Sequence, residues 1–252
     1  GYAVLRTDYQ GLGTRGIHPF LIGKAEGRSV IDIVRAARDM KRGLFSKKFA
    51  IAGHSQGGQA ALFAAGLAKK WAPDLKLRGT IAWAPASHLA DQVPLLPALT
   101  SPSSLSALAS LIVRGASVAN NAIDGKALLS DEAYAFYPDT KTECLGALPE
   151  PDSFGGLAPS TLLRPGADQA PLLTTLSANN PAVATPQPIF MAQGGLDTTV
   201  FPFLTNALND ELVALGDNVD YRFYPGANHS SVIVVSEADS LAFLNARLPS
   251  PR

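Results

Sequence analysis

The chain has 252 residues, 46% of them hydrophobic and 17% charged. That suits one large α/β domain, or a core with a sizeable insertion, and is ample for a buried core. The 21 basic and 21 acidic side chains cancel and form no basic block, which argues against nucleic-acid binding. The one cysteine, Cys144, cannot form an internal disulfide; it reads as a small packing residue rather than a catalytic thiol. No His-rich or Cys-rich cluster has the spacing of a structural zinc site.

Taken in chain order, Tyr2-Ala-Val-Leu-Arg-Thr reads as a buried strand ending at Asp8, followed by a Gly-rich turn. A strand beginning at residue 2, behind Gly1 rather than Met, leads to the expectation that more chain precedes it. From Ala25 to Arg42 the apolar residues Val30, Ile33, Val34 and Ala37 fall at helical spacing, and Gly43 is a plausible stop. Lys48-Phe-Ala-Ile-Ala-Gly has the apolar character of a central parallel strand. Gly57 to Trp71 is an Ala-rich helix, and Leu77 to Trp83 is a further strand. Strands alternating with helices imply a mostly parallel sheet joined by right-handed crossovers.

The alternation then stops. Between Pro85 and Pro188 lie 13 of the 19 prolines and no strong strand, and from Pro85 to Ala122 only Asp91 and Arg114 are charged. A structureless loop of this length is uncommon, so residues 85–186 are expected to form an inserted, mostly helical segment. It is either a small packed subdomain or a lid whose apolar face covers a greasy pocket. Leu105 to Ile123 is the longest apolar stretch, but Arg114 and its Ser and Asn residues argue against a membrane span. The alternation resumes in residues 187–252. Pro188 to Gly194 reads as a strand, Phe203 to Leu215 as a helix, Val219 to Tyr224 as a strand. Ser231 to Leu248 reads as a final helix with a β-branched, weakly helical start. The chain thus divides into a first core portion, 1–84, the insertion, and a second core portion.

The strongest chemical signal is Gly53-His-Ser-Gln-Gly-Gly, which contains G-x-S-x-G directly after an apolar strand and directly before a helix. In such an elbow the serine sits at a strained turn, and the flanking glycines avoid clashes with neighbouring backbone. The bland alternative is a Gly-rich turn with an incidental serine. Ser55 is therefore the candidate nucleophile, and a serine hydroxyl needs a base. Of the four histidines, His54 should point away from Ser55, His18 lies in an early loop, and His88 opens the insertion. His229 follows the last strand and precedes the last helix, so it is the candidate base; its alternative is a capping or surface histidine. A base of this kind needs a carboxylate, expected between serine and histidine in the chain. Asp197, just after the strand that resumes the sheet, fits best. Asp217 and Asp220 belong to the opposite sheet edge, and Asp168 lies in the insertion. The Gln56 N–H is the first expected oxyanion donor. The second comes either from a strand outside this chain or from the loop Thr7 to Gly13.

With these residues assembled, the chain resembles the secretory lipase family of α/β-hydrolases, the lipase A type. The matching stretches are Gly1-Tyr-Ala-Val-Leu-Arg-Thr-Asp-Tyr-Gln-Gly, Gly27-Arg-Ser-Val-Ile-Asp-Ile-Val-Arg-Ala-Ala, the elbow, and the Asp197 and His229 segments. The resemblance implies an α/β-hydrolase fold with a helical lid and a Ser55–Asp197–His229 triad, and it assigns the second oxyanion donor to the Asp8 N–H. It implies secretion, cleavage of carboxylic esters including acylglycerols, a possible role for a lipid–water interface, and no metal or organic cofactor. The family's strands that precede the position of Gly1 have no counterpart here. An upstream fragment or a partner is therefore expected to cover the exposed sheet edge. Cysteines that pair in some members have no counterpart except Cys144. The competing readings are a peptidase or acyltransferase with the same triad, and a non-catalytic binding module that keeps the fold. The nearly uncharged start of the insertion favours an acyl group over a peptide terminus.

Overall fold

Four strands, β1 (Lys48–His54), β2 (Lys76–Trp83), β3 (Ile189–Gly194) and β4 (Val219–Tyr224), pair side by side in sequence order, every pair parallel. They belong to a computed structural model that describes residues 1–249. The α-helices of the described residues are α1 (Gly23–Met40), α2 (Gln56–Trp71), α3 (Leu89–Gln92), α4 (Leu105–Ala119), α5 (Gly125–Leu128), α6 (Asp131–Phe136), α7 (Ala170–Ser177), α8 (Pro202–Ala214), α9 (Ser231–Val235) and α10 (Glu237–Arg247). Their contacts divide the chain into two units. Among the described residues, one holds 1–9, 23–87 and 180–249; the other holds 10–22 and 88–179.

The first unit is layered around the sheet. All six residues of β3 are buried, which explains its continuous apolar run. Successive side chains of a strand point to opposite faces. Ile189 and Met191 pack with Leu62 of α2 and with Leu208 and Leu212 of α8. Phe190 and Ala192 pack with Val232 of α9 and Phe243 of α10. Each fully buried side chain of this size contributes about 1.5–3 kcal/mol of transfer free energy. Beside them α2 presents Ala61, Ala64, Ala65 and Ala68 to Ile31 of α1 and to Phe49 and Ile51 of β1. Those small residues sit at i, i+3, i+4 and i+7, one face of the helix.

Two expected elements form differently. The segment Tyr2–Thr7 is not a strand: no described strand pairs with it, and Val4 is 82% exposed. An apolar run becomes a strand only where a ladder partner takes up its N–H and C=O groups. The final helix is two helices, broken at Ser236 (φ −95°, ψ 5°). The Val232-Ile-Val-Val run is β-branched and loses side-chain freedom in a helix. The break leaves the buried Ser236 hydroxyl to accept the Trp83 indole N–H at 2.9 Å, with Ser240 as a second acceptor at 3.1 Å.

The second unit is built from the short helices α3 to α7 joined by turns, with one antiparallel bridge between Leu129 and Leu163. Residues 10–22, which sequence order placed in the first core portion, cluster with this unit: Gly115 of α4 lies against the Phe20 backbone, where a Cβ would come within 2.1 Å of the Phe20 carbonyl oxygen. Arg114, the charge that interrupts the apolar stretch, stacks over the Tyr137 ring at 3.5 Å. It donates to the Thr140 hydroxyl and the Tyr137 carbonyl, both at 2.8 Å. The cation is thus satisfied within the unit. No described helix is long and apolar enough to cross a membrane.

The glycines around Ser55 are not equivalent. A Cβ on Gly53 would lie 1.9 Å from the Gly57 carbonyl oxygen, and one on Gly58 would lie 2.9 Å from Pro85 Cα. A Cβ on Gly57 would meet only the Tyr9 hydroxyl, at 3.8 Å, an ordinary contact. The steric demand expected of both motif glycines therefore falls on Gly53 and Gly58. Gly53→Ala is expected to yield no soluble folded protein. Gly57→Ala, in the first turn of α2, is expected to fold with a Tm equal to or a few degrees above wild type, because alanine is the better helix former by about 1 kcal/mol. Thermal melts followed by circular dichroism check both.

Candidate active site

The candidate residues converge at the carboxyl ends of the strands, the edge where parallel α/β sheets carry their sites. Ser55 follows β1, Asp197 follows β3 and His229 follows β4. Ser55 has φ 57° and ψ −118°, a left-handed backbone that side chains other than glycine rarely adopt. Its main chain is held on both sides. The N–H donates to Trp83 O at 2.9 Å, and the carbonyl accepts from Gly58 and Gln59 of α2 and from Ala86. Gln56 is the first residue of α2, so its N–H lies ahead of any acceptor inside the helix. That end of the helix also carries the positive pole of its dipole.

The candidate acid and the candidate base are hydrogen-bonded to each other. His229 Nδ1 lies 2.7 Å from Asp197 Oδ2. A carboxylate only accepts, so Nδ1 carries the proton and Nε2 keeps its lone pair. Asp197 is 3% exposed. Burial raises its proton affinity. The hydrogen bonds from His229 and from the N–H groups of Thr199 and Val200 outweigh that and hold the carboxyl below its ordinary range. The two loops are laced together by backbone: Gly195 N–H to Tyr224 O at 2.9 Å, and Leu196 N–H to Ala227 O at 2.8 Å. This closeness needs Gly194 and Gly195, where a Cβ would come within 2.5 and 2.6 Å of the Ala227 and Pro225 carbonyl oxygens. Asn228 caps the turn by accepting from the Ser230 and Ser231 N–H groups. Among the described residues Ser55 Oγ makes no hydrogen bond to His229. Such contacts are often long in the absence of substrate and tighten in the Michaelis complex.

The other candidates fall elsewhere. Asp217 accepts from the Thr185 N–H, and Asp220 pairs with Arg222 at 2.7 Å. Asp168 caps the start of α7 through the Ala170 N–H. His18 contacts Gln10 O at 3.0 Å, and His88 leads into α3. Cys144 is exposed, not packed, because it lies in a turn rather than against a core. Asp8 is also exposed and follows the unpaired segment. No group of three described His, Cys, Asp or Glu side chains is placed to hold a metal ion.

Three polar residues join the site that the sequence did not single out. Gln193 is fully buried in β3 and donates to Asp197 Oδ2, Gly194 O and Val200 O, while Thr205 donates to its carbonyl. A polar residue closing an otherwise apolar strand was the available signal. The buried Glu26 accepts from the Gln56 side chain at 2.7 Å. In sequence it reads as an ordinary acid in the first turn of a helix. Tyr9 places its hydroxyl near Gly57, and burial together with the Glu26 charge pushes its phenol well above the usual range, so it stays protonated.

The profile of the secretory lipases matches residues 1–133. Lipase A of Moesziomyces aphidis is 32% identical over 79 residues, 31% of this chain and 16% of that protein. Candida antarctica lipase A in its closed state superposes with a TM-score of 0.75 at 20% identity, over 92% of this chain and 57% of that one. The rice cell wall degrading esterase LipA of Xanthomonas oryzae gives a TM-score of 0.76 at 18% identity, over 95% of this chain and 69% of that one. The match to the first two thus spans less than two thirds of their length. The superpositions establish the α/β-hydrolase fold, a parallel sheet flanked by helices. Because the profile match runs over more than half of the residues, the chain belongs to the secretory lipase family.

Proposed function

We propose that the protein is a serine hydrolase of carboxylic esters, an esterase or lipase. The observation that carries this reading is the Asp197–His229 hydrogen bond, which leaves a basic Nε2 at the sheet edge that also carries the strained Ser55 turn. In the first step His229 Nε2 takes the Ser55 proton as Ser55 Oγ attacks the ester carbonyl. The Gln56 N–H receives the oxyanion, and the family resemblance assigns the second donor to the Asp8 N–H; each donor contributes about 3 kcal/mol in the transition state. His229 then gives its proton to the departing alcohol, leaving an acyl-enzyme. Water, deprotonated by the same histidine, releases the acid. Asp197 holds the proton on Nδ1 and stabilises the imidazolium. The names of the relatives, two lipases and an esterase, support esters, acylglycerols among them, as the substrate class, and the family's name supports secretion.

The test is hydrolysis of p-nitrophenyl esters from acetate to palmitate. Ser55→Ala is expected to lose turnover and fluorophosphonate labelling while keeping its far-UV spectrum. A folded Ser55→Ala protein with wild-type activity would sink the assignment, as would a wild type that neither hydrolyses any ester nor labels. Asp197→Asn is expected to keep the fold and lower kcat by about 10⁴-fold, since the amide no longer enforces the Nδ1–H tautomer.

The acid side of the stability curve gives an independent check. The Asp197 carboxyl is depressed in the folded state, so the unfolded chain binds its proton more readily. Its stabilising contribution is present above the ordinary carboxylate range and is lost as pH falls through the lower, folded value. Urea melts at stepped pH should therefore show a steeper acid decline for wild type than for Asp197→Asn; parallel curves would contradict the shift.

A further inference from the structure

The histidine that precedes the candidate nucleophile reaches the candidate base. His54 is the last residue of β1, held in register opposite Trp83 of β2. Its Nε2 lies 2.7 Å from the main-chain carbonyl of His229, and the two imidazole rings are 4.5 Å apart at 47°. A carbonyl only accepts, so His54 must carry its proton on Nε2. The two histidines therefore use opposite tautomers: Nδ1–H in His229, toward Asp197, and Nε2–H in His54, toward the His229 backbone.

We propose that His54 is a positioning residue that ties the base to the strand end carrying the nucleophile. The inference rests on the triad reading above. Without the His54 contact, the backbone ties of the base loop run, among the described residues, to the β3–α8 loop, through Gly195 and Leu196, and not to β1. The His54 N–H closes the remaining side of the triangle at the residue that does the chemistry. Its ring then limits how far the His229 imidazole can swing.

The same geometry demands that His54 stay neutral. Protonated, it would place a second cation 4.5 Å from the imidazolium that His229 becomes during turnover, with the Asp197 carboxylate acting on both. The groups that act on His54 are consistent with this. Burial is the largest influence and lowers its proton affinity; the bond to the His229 carbonyl raises it, the His229 charge lowers it, and the Asp197 charge raises it, with a net depression. For a histidine depressed in the folded state, stability is full above the ordinary imidazole value and is lost as pH falls from there toward the folded value.

Two substitutions of similar length separate the N–H from mere packing. Both lack a titratable ring; His54→Gln keeps an amide N–H at the reach of Nε2, and His54→Met does not. His54→Met is expected to lower kcat and the rate of fluorophosphonate labelling of Ser55 by about 10²-fold, the cost of a base misplaced by about an ångström, with KM little changed. It should also lose or broaden the downfield proton resonance of the Asp197–His229 pair. His54→Gln should recover most of kcat and restore that resonance. Equal kcat and equal resonances in the Gln and Met variants, with an active wild type, would overturn the inference while leaving the triad reading intact. A wild type that neither hydrolyses esters nor labels at Ser55 would remove the triad reading itself. Long-range nitrogen–proton NMR on the wild-type protein decides the tautomer without any variant: a proton on His54 Nε2 is expected, and a proton on Nδ1 alone would refute the proposal.

Discussion

A serine held in a left-handed backbone is the constraint on which the first unit depends. The conformation at Ser55 costs on the order of 1–3 kcal/mol and persists only where the surroundings over-determine it. They do so by covalent and non-covalent means together. The strand before it is fixed by pairing with β2, and the helix after it begins at the next residue. Its own N–H and C=O are both spoken for, and the absent Cβ of Gly53 leaves room for the Gly57 carbonyl to fold back. The alanine-faced α2 can then lie close to β1, so the same local sequence that strains the turn also supplies the packing that offsets it.

Around this turn the polar groups are few and deeply buried, which makes their completeness matter more than their number. A half-satisfied buried network is costlier than an apolar core. Gln193 illustrates the solution. Its amide serves three acceptors, including the Asp197 carboxylate, and its carbonyl is served by Thr205. Asp197 in turn collects His229, Gln193 and two backbone N–H groups, which is why it remains a carboxylate despite its burial. The network rests on β3 and α8 and reaches the loop after β4 through the His229 side chain.

How much of this was legible in the sequence follows from what each signal measures. Strand–helix alternation and the strand–turn–helix of the elbow are local patterns, and β1 to β4, α1, α2 and α8 lie where those patterns put them. What escaped was non-local. Whether Tyr2–Thr7 forms a strand depends on a ladder partner, which its own residues do not encode. The break at Ser236 was foreshadowed by a β-branched run, but its reason lies in Trp83, more than a hundred residues earlier. Motif reasoning concerns the backbone of the turn and does not supply the partner of the His54 side chain, which comes from the far end of the chain. The motif assigns the steric demand to Gly57, whereas only the fold reveals that its neighbour Gly58 bears the close contact.

The distribution of three side chains gives the molecule a natural optical partition. Both tryptophans, Trp71 and Trp83, lie in the sheet-bearing unit, and the second of them hydrogen-bonds to α10. The helical unit has neither, but it holds the one thiol of the chain, Cys144, exposed and free for a fluorophore. Intrinsic emission therefore reports on one unit and a single maleimide dye on the other. Coincident or separate denaturation curves from these two colours would reveal, without any engineered residue, whether the two halves of the fold melt as one cooperative body.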